Sequence, residues 1–84
     1  MSRHLLPCND PELVLWVGWD TGLQTFFAQV EPPGAARPDD LLAWFGTMPE
    51  EVRAAADLAR LVSRWAVLDR QVVATLESDR SSER

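Results

Sequence analysis

Eighty-four residues suffice for one small domain and no more, since a chain of this length buries only about 60% of its unfolded surface. At 46% hydrophobic and 25% charged the composition excludes wholesale disorder. The net charge is −5 and all eight positive residues are arginines, a balance that disfavours a nucleic-acid binder and favours basic partners.

The acids are concentrated in the first 51 residues: Asp10, Glu12, Asp20, Glu31, Asp39, Asp40, Glu50 and Glu51 stand against Arg3 and Arg37 alone. Beyond residue 51 acids and arginines nearly balance. One cysteine, Cys8, excludes an internal disulfide framework and fits a reducing compartment. No apolar run approaches the ~20 residues that span a bilayer, and Met1 to Pro7 is too short for a secretory hydrophobic region, so the cytoplasm is the expected location.

In chain order, residues 1–12 read as an arm, because Pro7 and Asn9-Asp10-Pro11 oppose regular structure. Leu13 to Glu31 then carries two β-branched and aromatic runs separated by Asp20-Thr21-Gly22, a hairpin signature in which Gly22 supplies the turn's positive φ. A loop centred on Thr21 and Gly22 pairs Trp19 with Gln24, Val17 with Phe26, Leu15 with Ala28 and Leu13 with Val30, gathering the aliphatic residues onto one face. The opposite face sets Trp16 across from Phe27, with Glu12 and Glu31 at its open end. Two aromatic residues on a face expected to meet solvent are the anomaly in this pattern.

Pro32 to Asp40 reads as a loop. Leu41-Leu42-Ala43-Trp44-Phe45-Gly46 fits strand or helix; its order of apolar, Trp, apolar, Gly repeats that of Leu15 to Gly18 and favours a third strand. Thr47-Met48-Pro49-Glu50 has the pattern of a capping box, and Leu58, Leu61, Val62 and Trp65 follow at helical spacing, which predicts a helix over 49–65. Arg53 with Asp57 and Asp57 with Arg60 stand at ion-pairing spacing on its solvated face. Asp69 is placed to cap a second helix over 70–79 with Val72, Val73 and Leu76 inward, and residues 78–84 form a polar tail expected to fray. The whole is an α+β domain over residues 1–84: a three-stranded antiparallel sheet in the order β-β-β-α-α, with two helices on one face.

His4, Cys8 and Asp10 are too few for a zinc site or a nucleophile with its base. The four glycines form no phosphate cradle, and Asp39-Asp40 and Glu50-Glu51 lack a partner base. No catalytic residue, metal site or cofactor is expected. Trp16 and Phe27 resemble a base-stacking platform, but Glu12, Asp20 and Glu31 beside them oppose a nucleic acid. Aromatic anchors with a charged rim are instead how protein interfaces are built. The candidate partner-binding set is Glu12, Trp16, Asp20, Phe27, Glu31, Asp39, Asp40, Glu50 and Glu51.

Trp16-Val17-Gly18-Trp19-Asp20 with Thr25-Phe26-Phe27-Ala28-Gln29-Val30 resembles a core found in small proteins carried on bacterial plasmids and prophages. In size, acidity and this mobile-element character the chain is similar to anti-CRISPR inhibitors of type I effector complexes. The resemblance implies a non-enzymatic inhibitor that docks on a basic surface of the Cascade complex and excludes target DNA. A plasmid-maintenance or structural accessory that self-associates through the sheet face is the alternative, and the expected state is a monomer or weak homodimer without membrane contact.

Overall fold

The computed structural model describes residues 2–34, 37 and 40–82. The chain runs β1 (His4–Pro7), β2 (Val14–Asp20), β3 (Thr25–Glu31), β4 (Ala43–Phe45), α1 (Ala55–Leu61) and α2 (Arg70–Ser82). The strands form one antiparallel meander in the order β1-β2-β3-β4. The α+β class and the helices on one face agree with the sequence pattern, whereas the sheet has four strands and not three. Among the described residues no helix is long and apolar enough to cross a membrane.

The extra strand comes from the segment read as an arm. His4 to Pro7 pair with Val17 to Val14, and Ser2 extends the contact, its amide donating to the Trp19 carbonyl at 3.0 Å while its hydroxyl accepts from the Trp19 amide. Pro7 lacks an N–H but ends an edge strand, where none is needed. Leu6 and Cys8 thereby reach the core.

The hairpin is present with its faces as expected and its register two residues away. Asp20 pairs with Thr25, Trp19 with Phe26, Val17 with Ala28, Trp16 with Gln29 and Gly18 with Phe27. The turn spans four residues, and Gln24, at φ 53°, takes the left-handed conformation assigned to Gly22. Side chains build it: Asp20 Oδ1 accepts from the Leu23 amide at 3.2 Å, and Gln24 Nε2 donates to the Thr21 carbonyl at 2.8 Å. A shift of two preserves the side-chain alternation, so Leu15, Val17 and Trp19 still share a face with Phe26, Ala28 and Val30. All six are buried, together with Val52, Ala55, Leu58, Val62 and Leu76 from the helical layer.

Residues 49–54 depart from the predicted helix. Glu50 has φ 55° and its amide donates to the Leu23 carbonyl, and Val52 is drawn onto β3. There the fully buried Thr25 hydroxyl accepts from the Val52 amide at 2.8 Å, while the Phe26 amide donates to the Val52 carbonyl at 2.9 Å. Thr47 to Glu50 therefore forms no capping box. Glu51 serves the local amides instead, its carboxylate accepting from Gly46, Thr47 and Met48 at 2.8, 3.2 and 3.3 Å. Thr25→Val keeps the shape of the side chain but orphans the Val52 N–H; a stability loss of about 1–3 kcal/mol in urea unfolding, with unchanged m-value, is the expected result.

α1 begins only at Ala55, whose amide is capped at 2.9 Å by Glu77 from α2. It ends at Leu61, so Trp65 lies in a following turn, tilted against Phe45 with ring centroids 6.1 Å apart. Asp57 pairs with Arg60 at 3.4 Å; Arg53 precedes the helix. In α2 the predicted cap is present, with the Val72 amide donating to Asp69 Oδ1 at 2.9 Å and Leu76 fully buried. The helix continues to Ser82, beyond the predicted Asp79, because Arg80 on its last turn donates to the Arg53 carbonyl at 2.7 Å and pairs with Glu77 at 3.5 Å. Of the tail expected to fray, residues 78–82 are helical, and Glu83 and Arg84 lie outside the described residues.

Candidate docking face

Both helices lie against the face carrying Leu15, Val17 and Trp19, which leaves the other face of the sheet uncovered by them. The pairings lay one row of side chains across all four strands: Leu5, Trp16, Gln29 and Trp44. Leu5 is 58% exposed and Trp44 45% exposed, and Leu42, just before β4, is 54% exposed. Trp16 is half-buried because the Arg3 guanidinium lies over its ring, 4.2 Å from the centroid. An exposed cation–π contact of this kind is worth about 0.5–1 kcal/mol, little enough for a partner to displace.

The neighbouring row holds Gly18 and Phe27. Phe27 stands on the open face yet is only 7% exposed, because its side chain lies beside two glycines. A Cβ on Gly18 would approach Phe27 Cε1 to 2.8 Å, and one on Gly46 would approach Phe27 Cβ to 2.9 Å. The two glycines form a trough that the phenyl group occupies. Above it opens a cleft of about 270 Å³, lined by Arg3, Asp20, Phe27, Gln29, Trp44 and Thr47. It has an aromatic wall and charges of opposite sign.

Trp16, Asp20, Phe27 and Glu31 share the outer face, but Trp16 is opposite Gln29 and only diagonal to Phe27. The other acids are dispersed. Glu12 is exposed in the β1–β2 connection and its amide donates to Asp10 Oδ1. Asp40 Oδ2 accepts from the Arg37 amide at 3.1 Å in the β3–β4 connection, Asp39 lies outside the described residues, and Glu50 and Glu51 belong to the segment before α1. Arg3, Leu5 and Trp44 escaped sequence reasoning. The alternation of Ala43 and Phe45 inward with Trp44 outward was the available signal for the last of them.

His4, Cys8 and Asp10 are not assembled into a site. His4 Nε2 is 2.6 Å from Asp79 Oδ2 on α2, and burial, then the Asp10 carboxylate, push the Cys8 thiol above its ordinary range, which keeps it protonated at neutral pH. Among the described residues no group of three or more His, Cys, Asp or Glu side chains could hold a metal ion. No family model, no curated protein and no solved structure matches this chain.

Proposed function

We propose that the chain is a non-enzymatic docking module that binds a protein partner through the outer face of its sheet. The observation that carries this reading is the row of Leu5, Trp16 and Trp44 across four strands, left uncovered by both helices. Large aromatic groups at the centre of a face, with charges at its edge, are the anatomy of an interface whose few anchors supply most of the affinity. Asp20 and Glu31 on that face, Glu12 and Asp40 in the connections between strands, Glu50 and Glu51 in the segment before α1, and a net charge of −5 favour a basic partner surface and steer its approach. Asp39 belongs to the same acidic set.

The similarity in type to anti-CRISPR inhibitors makes a type I Cascade complex the first partner to test. Docked on its basic DNA-binding surface, the module would exclude target DNA by occupancy. Purified Cascade is expected to co-elute with the chain and to lose target-DNA binding in its presence. Trp44→Asp is expected to weaken that association at least ~30-fold, the equivalent of about 2 kcal/mol, with the thermal midpoint little changed because the side chain is half exposed. Undiminished association of the variant would remove the outer face from the mechanism.

The exposed apolar row also supports self-association, as a plasmid-maintenance or structural accessory would use it. That reading requires a concentration-dependent dimer lost in Trp16→Ala, and a monomer at every concentration would eliminate it.

A further inference from the structure

The geometry points to a second binding site on the helical side of the sheet, a cleft for a small oxyanion such as a carboxylate or phosphate group. Its floor is Trp19, which faces the helices, on the opposite side of β2 from Trp16. The cleft has a volume of about 370 Å³ and is lined by Trp19, Gln24, Glu50, Arg53 and Arg80, a size that falls within the range of small-molecule sites. It is built where the β2–β3 turn, the irregular segment before α1 and the last turns of α2 converge.

Three observations give the cleft its chemistry. First, Trp19 is 3% exposed, and its Nε1 is buried with no hydrogen-bond partner among the described residues. An indole N–H can only donate, and buried donors are nearly always satisfied, so this atom stands out as an unmet donor in a residue that lines the cleft. Second, Arg80 is held in place by the Arg53 carbonyl at 2.7 Å and by Glu77 at 3.5 Å, contacts that leave further N–H donors of its guanidinium for a ligand. Third, the Arg53 guanidinium makes no ion pair within the described residues, although its carbonyl is engaged. Two guanidinium groups on the wall and an unmet indole N–H in the residue that lines the cleft with them make a donor-rich site, and its complement is an anionic oxygen group.

Among the described residues that line the cleft, Glu50 is the one acid. It disfavours a simple anion and sets the sign of a test: Glu50→Gln should tighten binding if the ligand is an anion, and weaken it if the occupant instead brings a cationic group to that wall.

The four tryptophan indoles of the full chain can be followed by NMR, with Trp19 assigned through Trp19→Phe. Inorganic phosphate and acetate are titrated separately against sodium chloride at matched ionic strength. The expected result is a saturable shift of the Trp19 indole resonance with one or both oxyanions and none with chloride. Arg53→Gln, whose side chain is exposed and outside the core, should weaken the response about tenfold, and Glu50→Gln should strengthen it. Phosphate acting alone would identify a phosphate ligand, and acetate acting alone a carboxylate. A Trp19 resonance indifferent to both anions, or one that responds equally in Arg53→Gln, would overturn the proposal.

Discussion

Gly46→Ala is expected to lower the stability of the fold by about 2–5 kcal/mol, the sum of a left-handed backbone forced on a residue with a Cβ and a steric collision in a packed region. Gly46 sits at φ 80°, immediately after β4, where the chain passes over β3. A Cβ there would strike the Phe26 carbonyl oxygen and lie 2.7 Å from Phe27 Cα. Both are main-chain atoms of a central strand. Neither can move without disturbing the pairing of β3 with β2. Gly18→Ala provides the contrast, since Gly18 has no left-handed φ and its Cβ would meet the Ser2 carbonyl and the tip of the Phe27 ring, atoms at the border of the sheet and at a side-chain end and not the main chain of a central strand. Thermal unfolding of the two variants should therefore rank Gly46→Ala well below Gly18→Ala. Equal midpoints would show that β4 lifts from β3 more readily than the packing implies.

Leu76→Ala is expected to cost about 2–5 kcal/mol, the range for truncating a fully buried leucine, out of a total that for small domains is on the order of 5–15 kcal/mol. Leu76 is the only residue of α2 that is fully buried, with Val72 and Val73 half-buried beside it. Its loss also threatens polar ties, because Glu77 caps the Ala55 amide and Arg80 holds the Arg53 carbonyl. Hydrogen exchange should report α2 and the start of α1 opening together, ahead of the sheet. If the amides of α2 stay as protected as those of β2 and β3, Glu77 and Arg80 hold the helix without help from the leucine.

Much of the hairpin was legible because alternation alone sorts side chains between two faces. Leu15, Val17 and Trp19 could be assigned to the core before the register was known. The register itself was not legible: it depends on Asp20 and Gln24 closing a four-residue turn, which local composition does not distinguish from a tight turn on Thr21-Gly22. β1 was hidden by its length and by Pro7, a residue that opposes a central strand and is harmless at an edge. Asp69 was readable as a cap since its partner is three residues away. Ala55 was not, because its cap arrives from Glu77, remote in sequence. Of the docking face, Trp16 and Phe27 were visible as a pair of aromatics in the wrong place. Trp44 joins them only through the meander, and the depth of Phe27 follows from Gly18 on β2 and Gly46 just after β4. Trp19, Arg53 and Arg80 meet through tertiary packing, so no spacing in the chain announces their cleft.

The borders of the sheet limit how these molecules could assemble. β1 is four residues long and ends in Pro7, and β4 is three residues long, so neither offers the length of free amides and carbonyls on which another chain could add a strand. Growth by edge addition, the route to ribbons and fibrils, is disfavoured on both sides. For the proposed docking, this favours a partner that arrives broadside, against the face of Trp16 and Trp44. A pair of copies stacked face to face covers both surfaces at once and is complete. Any association of the concentrated protein should accordingly stop at pairs and not proceed to filaments, a difference that light scattering would register as a plateau in mass.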